Sequence, residues 1–204
     1  MPAAADTTIV LASASPQRRQ LLESVALPVQ VVPSRIDETT GAGEPPAAAV
    51  VRLARHKAGA VAGRVGPRRW IVAADTAILL GRELVGKPRD RDAARGILGR
   101  LSGTAHEVLT GVALRTPEGT LETALARTEV TLAALTEPEL EWYLDTAEWR
   151  GAAGGYRIQG RGGLLIAGLR GSYSNVVGLP LETIYRMLAR HGYPLHSHHD
   201  ARGD

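Results

Sequence analysis

A four-residue apolar run that stops on a carboxylate constrains this chain more than any other stretch. Ile71-Val72-Ala73-Ala74 reads as a short buried strand, and Asp75 and Thr76 follow it at once. A strand of this kind belongs inside an α/β sheet, and open sheets of that class hold ligands outside their strand ends. Leu79-Leu80-Gly81-Arg82-Glu83-Leu84 reads as a hairpin that leads to Gly86-Lys87-Pro88. A carboxylate and a lysine delivered this way suit chemistry on a phosphate. One binds metal or activates water, and the other holds negative charge. A plainer reading stands beside it, in which Asp75 caps a turn and Lys87 is a solvated loop residue.

Composition narrows the class. A chain of 204 residues and 21.6 kDa forms one domain, or one domain with lobes. Its 44% of hydrophobic residues suffices for a core, yet no apolar run approaches the roughly 18 residues of a membrane helix. No basic segment followed by an apolar one marks a signal peptide. The absence of cysteine excludes disulfides and thiolate metal sites. The expectation is a soluble cytoplasmic protein without a membrane partner. Acidic and basic residues are interleaved, aromatics make up only 4%, and the net charge is +3. A nucleic-acid polymer is therefore not the expected partner, whereas a small anionic substrate is allowed. The basic residues carry a sharper signal, because of 24 only Lys57 and Lys87 are lysine. A chain that uses arginine wherever a surface charge suffices keeps lysine where a compact ammonium is needed, although chance would also leave two somewhere.

Taken in order, residues 8–12 read as a first strand. Ser15 is placed as the N-cap and Pro16 as the first position of a helix running to Ser24. Free N–H groups there, with Arg18 and Arg19 nearby, favour an anion, though an ordinary strand–turn–helix fits equally. Val29–Val32 reads as a second strand. Asp37-Glu38 then enters a Gly/Pro-rich loop, as a Mg²⁺-binding pair or as plain solvated acids. The spacing predicts a helix over 47–63, with Val51, Ala54, Ala58 and Val61 on one side and Lys57 along it. A helix over 92–101, strands over 105–114 and 121–132 and a short helix over 137–144 follow. Beyond a glycine-rich segment, 151–163, come a strand over 162–169, a polar turn at 171–175 holding the sole asparagine, Asn175, and a final helix to Arg190. Residues 196–204 read as a disordered tail. His106 has no serine-nucleophile pattern near it and reads as structural.

These stretches resemble the Maf family, the septum-formation-associated nucleotide pyrophosphatases. Five carry the resemblance: Leu11-Ala12-Ser13-Ala14-Ser15-Pro16 with Arg18; Asp37-Glu38; Arg52-Leu53-Ala54-Arg55-His56-Lys57-Ala58; Ala73-Ala74-Asp75-Thr76 through Gly86-Lys87-Pro88; and Tyr156-Arg157-Ile158-Gln159-Gly160 through Val176-Val177-Gly178-Leu179-Pro180. Leu101-Ser102-Gly103, His106-Glu107-Val108 and Thr110-Gly111-Val112 add to it. What the resemblance implies is an α/β fold, a twisted mixed sheet flanked by helices with a central cleft, related to inosine triphosphatases. It implies one domain over residues 1–195, with two lobes around that cleft. The implied activity is cleavage of a nucleoside triphosphate between its α and β phosphates, by a homodimer that needs Mg²⁺ or Mn²⁺.

The same resemblance implies roles residue by residue. Asp75 matches the proton acceptor, and Glu38 with Asp75 the metal-binding acids. Lys57, Lys87 and Arg18 match the basic residues that face the triphosphate, and Ser13 and Ser15 its phosphate-side hydroxyls. Thr76 and Gln159 match positions tied to base choice and look like the branch preferring dTTP and UTP. Two departures stand out. Gln17 replaces the first of two consecutive arginines common in the family, at a position also tied to base choice, and Gly151-Ala152 replaces an Asp-Lys pair. The expected function is a house-cleaning nucleotide diphosphatase. The alternative is a nucleotide-binding regulator of division with little turnover.

Overall fold

The computed structural model describes residues 7–41 and 43–195; the tail expected over 196–204 lies outside them. Strand β1 (Ile9–Leu11) runs into helix α1 (Pro16–Ser24), β2 (Val29–Val31), α2 (Pro46–Val65) and the long β3 (Trp70–Leu80). β4 (Glu83–Val85), α3 (Arg91–Leu101), β5 (Ala105–Arg115), β6 (Leu121–Leu132) and α4 (Glu137–Asp145) follow. β7 (Ile166–Arg170), α5 (Tyr173–Val177) and α6 (Leu181–Arg190) complete the order. The seven strands make one mixed sheet in the order β2-β1-β3-β5-β6-β7, with β4 hydrogen-bonded to β3. β1 pairs in parallel with both β2 and β3, while β4 and β7 pair antiparallel with β3 and β6.

The chain divides into two compact units. The first takes the described residues up to Asp75, with Gly111–Ala126 and those from Gly178 to Leu195. Its core shows the two-residue period of a sheet buried on both faces. Ile9, Leu11, Trp70, Val72 and Ala74 pack on one side with Leu22 of α1 and with Ile184, Met187 and Leu188 of α6. Val10, Ala12, Ile71 and Ala73 pack on the other with Ala54, Ala58 and Val61 of α2. Gly111 of β5 lies so close to α2 that a Cβ there would sit 2.3 Å from the Val50 carbonyl carbon, so only glycine fits.

The second unit is Thr76–Thr110 with Arg127–Val177. Leu98 and Leu101 of α3 and Leu140, Tyr143 and Leu144 of α4 are packed with Ile78, Val108, Val130 and Leu132 of its strands. The expected hairpin is present: Leu80 pairs with Glu83 across Gly81-Arg82, and Gly81 takes the positive φ of 62° that the tight turn requires. Two local readings change. The segment 171–175 is not only a turn, because α5 starts inside it at Tyr173. The last strand starts at Ile166, since residues 161–165 form a 3₁₀ turn. Glycine spacing hid both. Among the described residues no helix is long and apolar enough to cross a membrane.

Candidate active site

The first unit gathers a cluster of charge around Lys57. Buried residues of α2 recur at Val50, Leu53, Ala54, Lys57, Ala58 and Val61, so Lys57 occupies the apolar stripe itself. The stripe runs through Val50 rather than Val51. A lysine there is only 4% exposed, and a buried ammonium persists only with partners. It has two. Lys57 Nζ donates to Asp75 Oδ1 at 2.6 Å and lies 2.8 Å from Glu38 Oε1. Asp75 lies midway along β3, which does not stop at Ala74 as the apolar run suggested but continues to Leu80 and pairs there with β4. Its side chain is 14% exposed, and Glu38 reaches in from the loop after β2. The adjacent Asp37 is exposed and binds the backbone N–H and hydroxyl of Thr39, which hold its carboxyl below its usual value. Of the two neighbouring acids, one serves the cluster and the other a local turn.

The segment from β1 to α1 supplies the next layer. Ser15 caps α1 as expected: its Oγ accepts from the Arg18 N–H and donates to Gln17 Oε1 at 3.0 Å. Ser13, itself buried, accepts from the Ser15 N–H and from Arg18 Nη1 through its hydroxyl oxygen. Arg18 is tied to backbone, with Nη1 donating to the Ala74 carbonyl at 2.8 Å and Nε to the Gly178 carbonyl at 2.7 Å. Burial pulls its guanidinium below the ordinary value, while the charges of Asp75 and Glu38 oppose that shift. Arg18 therefore sits in the electrostatic field of the two acids and braces β3 beside Asp75.

Thr76, Lys87 and Gln159 belong to the second unit. Thr76 Oγ1 lies 3.0 Å from Thr110 Oγ1, and the Thr110 hydroxyl donates to the Asn175 carbonyl. Lys87 is exposed in the loop after β4, and Gln159 is exposed in the glycine-rich loop before β7. Sequence reasoning left Asn175 without a role. Here it is fully buried, and its Nδ2 donates to the Val108 carbonyl and to Thr128 Oγ1. Its standing as the sole asparagine was the available signal. His106, expected to be structural, is buried with Nε2 2.8 Å from the Tyr156 hydroxyl; burial pulls its pKa down to about 4. Tyr156 is pushed up by the same desolvation.

A divalent cation fits the first unit's acids. Among the described residues no group of three or more His, Cys, Asp or Glu converges. Mg²⁺, however, commonly takes one or two carboxylates and completes its shell with water and substrate phosphate. Glu38 and Asp75 already converge on one positive charge, and that donor set is all oxygen.

Residues 8–191 match the family model described as Maf-like protein. The chain is 51% identical over 189 residues to the dTTP/UTP pyrophosphatase of Myxococcus xanthus (strain DK1622), covering 93% of this chain and 95% of that protein. It is 49% identical over 190 residues to the dTTP/UTP pyrophosphatase of Anaeromyxobacter dehalogenans (strain 2CP-C), covering 92% and 95%. Among solved structures, a HAM1 protein from Coxiella burnetii superposes with a TM-score of 0.50 at 16% identity, covering 90% of this chain and 98% of that one. That last likeness speaks for the fold alone.

Proposed function

The chain belongs to the Maf family and is a nucleotide pyrophosphatase, and from that premise we propose that Lys57, Asp75 and Glu38 form its catalytic centre. The observation that carries the proposal is one buried ammonium bridging two carboxylates, one of them midway along β3. Asp75 takes a proton from the water that attacks the α-phosphorus. The α–β phosphoanhydride breaks, and the leaving group departs as diphosphate from a nucleoside monophosphate. Lys57 holds Asp75 in position and, with Lys87, offsets negative charge on the phosphoryl oxygens. Arg18 adds its charge at a short distance and fixes Ser13, while the Ser13 and Ser15 hydroxyls line the phosphate side. Glu38 and Asp75 would hold Mg²⁺ or Mn²⁺, which when bound supplies charge neutralisation and polarises water.

Thr76 and Gln159 are proposed to choose the base, with dTTP and UTP preferred. Support comes from the relatives named dTTP/UTP pyrophosphatase. Gln17, tied to the Ser15 hydroxyl, replaces an arginine at a third such position and broadens that preference. The reading extends to a cytoplasmic homodimer that clears surplus or non-standard nucleotides.

The deciding experiment is a panel of standard and modified nucleoside triphosphates with Mg²⁺ or Mn²⁺, scoring diphosphate and monophosphate separately. Release led by dTTP or UTP is expected. Release led by other bases would discard the base choice and keep the chemistry. Binding by folded protein without release of diphosphate would leave a regulator in place of an enzyme.

A further inference from the structure

We infer that Glu148 is the positioning residue of the loop that presents Gln159, an inference that rests on Gln159 choosing the base. The loop spans residues 156–162 and is tied on both limbs. On the near limb, the Tyr156 hydroxyl meets His106 Nε2, and the Arg157 N–H donates to the Tyr143 hydroxyl at 3.0 Å. The Arg157 side chain turns back, with Nε donating to the Glu148 carbonyl at 2.9 Å and Nη2 to the Arg150 carbonyl at 2.8 Å. On the far limb, the Glu148 carboxylate accepts the Arg161 N–H on Oε1 at 3.1 Å and the Gly162 N–H on Oε2 at 3.3 Å. One residue thus grips both limbs, by its carbonyl on one and its carboxylate on the other. Gln159 lies between them, exposed.

The glycines of the loop show how close this grip is. A Cβ on Gly160 would lie 2.5 Å from Glu148 Oε2, and one on Gly162 would lie 2.6 Å from the Arg157 carbonyl oxygen. Neither position tolerates a side chain without moving the clamp. The chain also turns sharply into Glu148: Ala147 takes φ 57°, a left-handed conformation that costs a non-glycine residue of order 1 kcal/mol and persists only where its surroundings hold it. A carboxylate that accepts consecutive backbone N–H groups orders a loop the way a bound anion would. The loop therefore pays its ordering entropy during folding, before any base arrives. A loosened loop would pay on binding instead, which weakens substrate affinity and blurs base choice while leaving the phosphoryl chemistry alone.

The test measures kcat and KM for dTTP, UTP, CTP and ATP in Glu148→Ala, Glu148→Gln, Gly160→Ala and Gln159→Ala, each checked by thermal unfolding. Glu148→Ala and Gly160→Ala are expected to raise KM for the preferred triphosphate about 2- to 10-fold, to flatten the ranking of bases and to leave kcat nearly unchanged. Glu148→Gln, which keeps one acceptor oxygen, should recover part of the ranking. It also carries the test if Glu148→Ala does not fold. If Gln159→Ala alters the ranking while the folded Glu148 and Gly160 variants keep it, the positioning role is overturned. A uniform fall in kcat across all four substrates overturns it as well. If Gln159→Ala leaves the ranking unchanged, the base-choice reading fails first, and the inference falls with it.

Discussion

The two units hold their functional candidates by different physics. In the first, Lys57, Asp75 and Glu38 are organised by charge, with Lys57 2.6 and 2.8 Å from its two partners and its ammonium almost wholly buried. In the second, Thr76, Asn175, Thr128 and Thr110 are held by neutral hydrogen bonds, and the loop of Gln159 is held by backbone N–H groups that donate to the Glu148 carboxylate. A charged cluster can lose one charge, keep its shape and lose its chemistry. A buried neutral network has no charge to spare, so losing one member strands its partners and weakens the fold. Activity and stability should therefore separate along this division.

The largest effect expected is on the charged side. Asp75→Asn is nearly isosteric and leaves Lys57 with Glu38, so diphosphate release should fall about 10²- to 10⁴-fold while nucleotide binding and melting temperature change little. Unchanged hydrolysis in that variant would remove Asp75 as the proton acceptor.

Stability should respond on the neutral side, beginning with His106. Its folded pKa of about 4 lies below the ordinary 6.5 because burial disfavours the imidazolium. The unfolded chain therefore takes up the proton first as pH falls. The stability His106 contributes is complete above about pH 6.5 and is lost progressively towards pH 4, to a total of about 3 kcal/mol. Urea unfolding of wild type and His106→Gln at pH 7 and pH 5 should show a fall in the first that is much reduced in the second. A fall of equal size in both would place the titration elsewhere.

Asn175→Ala removes both Nδ2 donors from the Val108 carbonyl and Thr128 Oγ1. It should cost about 2–3 kcal/mol in denaturant unfolding, with activity per folded molecule close to wild type if the contrast holds. Smallest is the effect of Glu38→Gln, since that side chain is 53% exposed. It should raise the Mg²⁺ or Mn²⁺ concentration for half-maximal activity severalfold without a change in melting temperature. An unaltered metal requirement would leave Glu38 as a partner of Lys57 only.

Much of this was legible in the chain itself. The apolar run before Asp75, the Ser-Pro start of α1 and the Gly81-Arg82 turn are local signals, because backbone sterics and the two-residue strand period act over a few residues. Even Lys57 was marked, once by the scarcity of lysine and once by the resemblance to the family. What residue patterns alone left open is the choice between neighbours, which only the family resemblance tipped towards Glu38. Asp37 and Glu38 are both acids in one loop, but only the fold shows that Thr39 takes the first and Lys57 the second. Arg18 could be read as a basic residue near an anion site, yet its bonds to Ala74, 56 residues away in the chain, and to Gly178, 160 away, exist only in three dimensions.

The sequence by itself determined the family and most of the order of strands and helices, because motifs and hydrophobic period are properties of nearby residues. Only the tertiary structure decided which carboxylates share the ammonium, where Asn175 spends its amide and how Glu148 grips the loop of Gln159. Those choices depend on burial and on partners distant in the chain, and no local pattern encodes a desolvation cost until the fold has closed around it.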